Sequence, residues 1–299
     1  MIKRTLFFGN PAYLSTRNEQ LVVRYPNDEM PEKTIPIEDL GFVVLENPQI
    51  TLTHGLLMKL VQNKTAVITC DRQHLPCGYL QPLVGHSEQT ERMRYQLNAS
   101  QPLKKQLWQQ TVMAKIENQA QHLLLRQKNA LKLKRWAKVV KSGDAENHEA
   151  IAAAYYFQHL FNGIEDFSRN QKGVAPNQLL NYGYAILRAV CARALCGSGL
   201  LPSVGIFHRN KYNAFCLADD IMEPYRPFVD FLVYDIAASG CTLEPMNTRL
   251  KSELLRLPAL DVYIDGKQSP LMVAMSRTTN SVFDCFLGSS RKILYPEIR

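Results

Sequence analysis

Residues 101–124 read QPLKKQLWQQTVMAKIENQAQHLL, and this stretch decides how the rest of the chain is interpreted. Apolar residues recur in it every three or four positions, which is the period of an α-helix with one buried face. The members of this apolar stripe are Leu103, Leu107, Val112, Ile116, Ala120, Leu123 and Leu124. The stretch predicts a long helix and marks the beginning of a helical region.

The chain downstream repeats the helical period. Further helices are predicted over Ala150–Leu160, Gln178–Leu195 and Val229–Ala237. Prolines interrupt the pattern near the end, so residues 260–299 are expected to form a short hairpin followed by a loosely held tail.

The chain upstream, residues 1–85, has a different pattern of short β-branched or aromatic runs separated by turn residues, which is typical of strands. One helix interrupts them, with Thr53 as its N-cap. The expected strands are Ile2–Phe8, Ala12–Ser15, Gln20–Tyr25, Thr34–Pro36, Gly41–Leu45, Ile50–Leu52 and Ala66–Cys70. Together they predict a small antiparallel sheet or sandwich.

These patterns predict an α+β protein with two domains. The first is a small N-terminal β-sheet or sandwich domain over residues 1–85. Few apolar runs follow it, so residues 86–100 are expected to be a linker. The second is a larger α-helical domain over residues 101–299, in which we expect the chemistry to lie.

Composition excludes several classes of protein. Of the 299 residues, 46% are hydrophobic and 21% charged, as in a globular protein. No apolar run reaches the ~18 residues of a membrane helix, and the first apolar run is too short for a secretory signal, so we expect a cytoplasmic protein with no membrane partner. The seven cysteines fit neither a disulfide framework nor a zinc site. Phosphate-binding glycine loops and the Gly-x-Ser-x-Gly elbow are missing from the sequence.

Positive charge is concentrated in one window. Residues 92–141 contain twelve Lys or Arg and a single acid, Glu117, a net charge of +11 in a chain whose total is +8. A solvated helix face normally interleaves acids with its lysines, and these acids are missing here. The window therefore favours a polyanionic partner such as nucleic acid.

Residues 205–227 read GIFHRNKYNAFCLADDIMEPYRP and place one histidine among three carboxylates. Asp220 and Glu223 lie on one side if the segment is helical. Oxygen ligands with one imidazole suit Mg²⁺ or Mn²⁺ better than zinc, and such ions promote phosphoryl transfer. The alternative is structural, with Asp219 or Asp220 as an N-cap and His208 as an ordinary loop residue.

A second acidic cluster lies before an alanine-rich helix. It consists of Asp144, Glu146 and Glu149, followed by the run Ala150-Ile151-Ala152-Ala153-Ala154. Small alanines allow another element to approach the carboxylates closely. The alternative is helix capping, which suits Asp144 better than Glu149 because Glu149 lies further into the helix.

Several motifs in combination resemble one family. They are Gly9-Asn10-Pro11-x-Tyr13-Leu14-Ser15, Thr34–Gly41, Leu107-Trp108-Gln109-Gln110, Lys115–Ala120, Asn147-His148-Glu149-Ala150, Leu180-Asn181-Tyr182-Gly183-Tyr184 and the stretch from His208 to Pro227. The chain from residue 1 to about 240 resembles the CRISPR-associated adaptation integrases, metal-dependent DNA endonucleases that insert new spacers, in the form found in type II systems.

The resemblance implies a site and an assembly. Glu149, His208 and Glu223 would be the catalytic metal ligands, with Asp220 as an accessory acid, since Asp220 rather than Asp219 keeps the three-residue spacing to Glu223. The metal would be Mg²⁺ or Mn²⁺. The β-domain would form a homodimer, and a small adaptation partner protein would complete a larger complex.

The implied reaction is attack by the 3′-hydroxyl of a captured double-stranded DNA fragment on a phosphodiester at a CRISPR repeat end. Basic side chains would hold DNA phosphates without reading sequence. Those expected to do so are Lys115, Arg126, Lys132, Lys134, Arg135, Arg209, Lys211 and Arg226. The alternatives are a non-enzymatic nucleic-acid scaffold and an unrelated structure-selective nuclease.

Overall fold

The computed structural model describes residues 3–26, 30–72, 76–80, 82–164, 167–170 and 173–299. The chain divides into two compact units, residues 1–85 and 86–299. The linker predicted over residues 86–100 is wrong, because helix α2 (Gln89–Asn98) lies there within the second unit. Gln96 explains the error: it is fully buried and donates to the carbonyls of Leu201 and Val204, both at 2.9 Å. These hydrogen bonds, together with packing of Arg92 and Tyr95 on the Phe283 ring, hold a helix that has no apolar stripe.

The described residues of the first unit form two four-stranded sheets and the α-helix α1 (His54–Gln62), which Thr53 caps as predicted. One sheet has the order β1-β5-β7-β8 and the other β4-β3-β2-β6. The strands are β1 Arg4–Phe8, β2 Ala12–Arg17, β3 Gln20–Arg24, β4 Lys33–Pro36, β5 Leu40–Leu45, β6 Ile50–Leu52, β7 Ala66–Cys70 and β8 Pro76–Leu80. The predicted N-terminal β-domain is therefore present, and β8 was not predicted. Met1 and Ile2 of the first predicted strand lie outside the described residues.

The prediction of an antiparallel sheet is wrong for part of this unit. Strand β5 pairs parallel with both β1 and β7, and β2 pairs parallel with β6. Residues 40–44 of β5 are all buried, so the strand is covered on both faces, as is typical of parallel strands. An unbroken apolar run, and not an alternating one, is the sequence signal for that arrangement.

The second unit is largely helical, which confirms the α+β class. Its remaining helices are α3 Gln101–Leu125, α4 Leu131–Val139, α5 His148–Leu160, α6 Asn177–Gly197, α7 Cys216–Met222, α8 Arg226–Ala238, α9 Thr248–Leu254 and α10 Leu271–Leu287. Helix α3 packs against α4, α5, α8 and the 3₁₀ turn Glu223–Tyr225, so it is the helix around which these elements of the unit assemble. Among the described residues, no helix has the length and apolar content needed to span a bilayer.

The end of the chain is part of the core. Strands β9 (Asp261–Ile264) and β10 (Lys267–Pro270) form the predicted hairpin. The loosely held tail predicted after it is wrong: α10 packs on α6, and strand β11 (Pro296–Glu297) pairs with β9. Pro270 immediately precedes α10 and so begins the helix instead of breaking the pattern.

A chain of polar groups crosses the core between α3, α5 and α8. His122 is fully buried, and its Nδ1 lies 2.6 Å from the Tyr156 hydroxyl. Arg126 Nε approaches the other ring nitrogen at 3.4 Å. Burial, with added repulsion from Arg126 and Lys128, lowers the pKa of His122 to about 3. His122 is therefore neutral in the folded protein at physiological pH.

His122 makes stability depend on pH. The unfolded chain takes up a proton on His122 near pH 6.5, and the folded chain does so only near pH 3. Each pH unit below 6.5 should therefore cost up to about 1.4 kcal/mol of unfolding free energy. In His122→Asn, which cannot charge, this loss should be absent. Urea unfolding of both proteins at pH 7.5 and pH 5 measures it: the wild-type advantage should shrink at pH 5, and an unchanged difference would contradict the assignment.

Candidate active site

Two carboxylates from distant parts of the chain meet at one buried ammonium group. Glu149 is the second residue of α5, Glu223 opens the 3₁₀ turn between α7 and α8, and Lys115 lies in the middle of α3. Lys115 Nζ pairs with Glu149 Oε1 and lies 2.5 Å from Glu223 Oε2. The structure thus brings together two of the three predicted catalytic residues.

Paired charges stabilise each other in this interior. Burial alone would raise the pKa of Glu223, but Arg226 and Lys115 outweigh it and hold that pKa below its ordinary value. Burial alone would lower the pKa of Lys115, but Glu223 and Glu149 outweigh it and raise the pKa. Both groups are therefore charged at neutral pH, and Arg226 Nε, 2.8 Å from Glu223 Oε1, completes the cluster.

Asp144 positions Glu149 from the start of α5. Its two carboxylate oxygens accept hydrogen bonds from the backbone N–H groups of His148 (2.9 Å) and Glu149 (3.0 Å). This is the capping role that the sequence allowed for Asp144. With Asp144 satisfying the helix end, the Glu149 side chain is free to face Lys115.

His208 is fixed by a buried carboxylate on α7. Asp220 is fully buried and accepts the backbone N–H groups of Ile206 (2.7 Å), Phe207 (3.0 Å) and His208 (3.1 Å). Asp220 Oδ1 also lies 2.5 Å from His208 Nδ1. Asp220, expected as an accessory acid near the metal, thus uses its oxygens in folding the loop onto α7.

Two other features hold the same loop. Asp219, the alternative accessory acid, accepts from Arg188 Nε at 2.6 Å and Asn213 Nδ2 at 2.7 Å. At position 205, a Cβ would stand 2.7 Å from Asp220 Oδ2 and 2.5 Å from the His208 carbonyl oxygen, so only glycine fits. Neither aspartate faces Glu149; both shape the segment that carries His208.

The hydrogen bond that His208 Nδ1 makes to the Asp220 carboxylate raises the pKa of His208, and Glu223 lies near enough to add to this rise electrostatically. Phe207 stacks on Trp108 with ring centroids 4.2 Å apart, and the Trp108 ring also meets His208 edge-on. The imidazole is therefore held by the contact of its Nδ1 with Asp220 and by the Trp108 ring, which leaves Nε2 available to a ligand.

The donor set fits a hard divalent cation. Two carboxylates converge on a position now taken by an ammonium group, and the nearby imidazole is hydrogen-bonded through its Nδ1 to a third carboxylate, as metal-binding histidines usually are. In the part of the chain that the structure describes, no three His, Cys, Asp or Glu side chains already stand at coordinating positions. The Lys115 ammonium group lies between Glu149 and Glu223.

The cluster borders one cavity, and His208 borders another. The first, of about 240 Å³, is lined by Glu149 and Glu223 and by residues to which the sequence assigned no role, among them Arg169, Tyr184 and Asp230. Burial raises the pKa of Asp230 to about 6, although hydrogen bonds from Tyr184 and Tyr156 oppose the rise. Tyr184 belongs to the motif Asn181-Tyr182-Gly183-Tyr184, and this motif was the sequence feature from which its place near the site could have been predicted. The other cavity, of about 600 Å³, opens beside His208.

The predicted DNA-binding residues fall into two groups. Lys132, Lys134, Arg135, Arg209 and Lys211 are exposed. The other three are paired with acidic side chains of this chain. Lys115 and Arg226 pair with the carboxylate cluster, and Arg126 pairs with Asp235 at 2.6 Å and lies over the Phe231 ring. Their acidic partners lie outside the basic window, so counting charge within the window could not reveal them.

Comparisons with known proteins identify the family to which the chain belongs. The family model described as CRISPR associated protein Cas1 matches residues 6–245. CRISPR-associated endonuclease Cas1 of Neisseria meningitidis serogroup C (strain 8013) is 38% identical over 284 residues, covering 94% of this chain and 91% of the relative.

Solved structures share the fold at lower identity. A casposase bound to integration product has a TM-score of 0.80 at 20% identity and covers 98% of this chain and 92% of its own. A Cas6-RT-Cas1–Cas2 complex has a TM-score of 0.74 at 20% identity and covers 99% of this chain and 36% of its own. The family match spans most of both units and includes Glu149, His208 and Glu223. The chain belongs to the CRISPR-associated protein Cas1 family.

Proposed function

We propose that this protein is a metal-dependent DNA endonuclease and integrase that inserts captured DNA fragments as new spacers into a CRISPR array. The observation that carries the proposal is the convergence of Glu149 and Glu223 on one cation position. The relative in Neisseria meningitidis, named as an endonuclease, supports the cleavage chemistry. The casposase bound to integration product supports strand joining.

Glu149, His208 and Glu223 would hold the Mg²⁺ or Mn²⁺ ion. When bound, such an ion neutralises charge on the scissile phosphate and activates the attacking hydroxyl. Asp220 accepts the Nδ1 proton of His208, which fixes the tautomer whose Nε2 carries the free lone pair. Arg226 keeps Glu223 ionised from the opposite side. The protein's own contribution is thus to set the tautomer of His208 and to keep Glu223 ionised.

DNA would lie over the exposed basic residues of the second unit. Lys132, Lys134 and Arg135 lie on α4, and Arg209 and Lys211 follow His208 directly. Phosphate contacts of this kind place the backbone without reading its sequence. A 3′-hydroxyl held beside the carboxylates would attack a repeat-end phosphodiester, one bond breaking as the other forms. Water in its place would give plain cleavage.

The assembly is part of the proposal. Residues 1–85 would form a homodimer through the edge strands of their sheets, since open strand edges invite pairing. The complex that contains Cas1 and Cas2 supports a small adaptation partner of the Cas2 kind. Two dimers bridged by that partner would place two sites on one captured fragment.

Removing a proposed metal ligand should separate binding from joining. In Glu223→Gln and His208→Ala, DNA affinity should stay within about twofold, because neither change removes a cation, while strand joining should fall by about a hundredfold or more. Gel-shift and strand-transfer assays on the same DNA, with Mn²⁺ and with chelator, measure both. Glu117→Gln, which removes an exposed carboxylate from α3, is the control. Joining that survives the chelator would refute the proposal.

The exposed basic residues of α4 should affect DNA binding, in contrast to the proposed metal ligands, which should affect strand joining. Replacing Lys132, Lys134 and Arg135 together by Ala should weaken DNA binding and make its salt dependence shallower by about 0.9 for each phosphate that the variant no longer neutralises. Titrations at several salt concentrations give the slope. The control replaces three exposed residues outside the basic window, Arg249, Arg256 and Lys267, by Ala. Equal slopes for the two triple variants would show that α4 does not bind DNA phosphates.

Lys115 should act as an internal counter-ion. Lys115→Met leaves Glu149 and Glu223 without the ammonium group between them, and breaking a buried ion pair costs about 3–5 kcal/mol. The variant should therefore melt well below the wild type in chelator. Mn²⁺ should raise its melting temperature more than that of the wild type, because the ion then replaces the missing charge. Differential scanning calorimetry with and without Mn²⁺ tests this, and an equal shift in both proteins would contradict it.

A further inference from the structure

The last nine residues, 291–299, lie against α3 and the turn that carries Glu223. Gln110 on α3 donates to the carbonyl of Arg291 at 2.9 Å and accepts the N–H of Ile293 at 3.0 Å. Further along α3, Thr111 Oγ1 lies 2.7 Å from the Tyr295 hydroxyl. Ile293 and Ile298 are buried. We call residues 291–299 the C-terminal strap.

Asn118 joins the strap to the Glu223 turn. This buried side chain lies one helical turn beyond Lys115. Its Nδ2 donates to the Pro224 carbonyl at 2.8 Å and to the Pro296 carbonyl at 2.9 Å, and its Oδ1 accepts the N–H of Ile298 at 3.0 Å. One amide therefore holds the peptide after Glu223 and two points of the strap at once.

Thr278 on α10 makes a second connection of the same kind. Its hydroxyl donates to the Leu294 carbonyl at 2.6 Å, so it accepts from the Tyr225 hydroxyl, also at 2.6 Å. Tyr225 and Thr278 are both fully buried, and burial raises the pKa of the Tyr225 phenol, which keeps it a neutral donor. Both residues that follow Glu223 in the chain are thus tied to groups that also tie the strap.

We propose that the C-terminal strap, acting through Asn118 and Thr278, positions the Glu223 carboxylate for divalent-cation binding. Buried polar networks of this kind are costly to leave half-satisfied, so strap and turn hold one arrangement together. The strap does not contact Glu223 itself; it is a positioning element, and Asn118 and Thr278 are positioning residues. This inference rests on the proposed metal site and assigns a role to the end of the chain, which lies beyond the part matched by the family model.

Two neighbouring threonines provide the test. Thr278→Val keeps the side-chain shape but removes the hydroxyl between Tyr225 and Leu294. Thr279→Val is the matched control: it is equally buried on the same helix, but its hydroxyl contacts the Ala194 carbonyl and Ser198 Oγ, which belong to neither the strap nor the turn. Both should lower the thermal unfolding midpoint to a similar extent.

Only Thr278→Val should weaken Mn²⁺ binding, by about tenfold, the lower end of the range for groups that support metal ligands. The dissociation constant is measured on the whole protein without DNA, from the electron paramagnetic resonance signal of free Mn²⁺. Equal Mn²⁺ affinity in the two threonine variants would overturn the inference. If Thr278→Val does not fold, Gln110→Ala, which loosens the strap from the surface of α3, should show the same weakening, and normal affinity there would overturn it.

Glu223→Gln separates this inference from the proposed function. Wild-type Mn²⁺ binding that Glu223→Gln leaves unchanged would overturn the proposed metal site, and the strap's role with it. Binding that depends on Glu223 but is unaffected by Thr278→Val would overturn the strap alone.

Discussion

The second unit depends on one buried ammonium group. Lys115 is almost completely buried, and a lone charge there would be very unfavourable, so its position requires carboxylates from other elements. Glu149 joins the start of α5 to α3 through its ion pair with Lys115, and Glu223 joins the α7–α8 junction to α3 in the same way. The same contact that satisfies Lys115 thereby places two carboxylates side by side. Packing and the proposed chemistry have a common origin in this cluster.

The acidic residues around the cluster have two different structural roles. Asp144 and Asp220 use their oxygens to accept backbone N–H groups and so hold α5 and the His208 loop in place. Glu149 and Glu223 instead pair with the cations Lys115 and Arg226. An acid bound to several N–H groups is a poor ligand for a passing ion, whereas an acid paired with a movable ammonium group can exchange its partner.

Much of the fold could be predicted from local patterns. Helical periodicity found α3 and α5, turn residues separated the strands, and the capping signal at Thr53 was confirmed. These features depend on neighbouring residues alone. The pairing direction of β5 and the burial of α2 do not, because they are decided by what packs against them. A helix such as α2, whose one buried polar side chain bonds distant carbonyls, has no periodic signature to detect.

The site could be predicted only as far as residue type indicates chemistry. The family motifs pointed to Glu149, His208 and Glu223, but charge counting assigned Lys115 and Arg226 to DNA although each holds a carboxylate. The sequence alone does not show whether the partner of a lysine is a DNA phosphate or, as for Lys115, a glutamate 108 positions away. The spacing from Asp220 to Glu223 suggested a shared ligand role, but α7 ends between them, so one side chain turns toward the His208 loop and the other toward α3. The groups that surround each acid therefore decide which of the two can meet an ion, and contacts such as that from Asn118 on α3 to the Pro224 carbonyl join distant parts of the chain, which local sequence does not reveal.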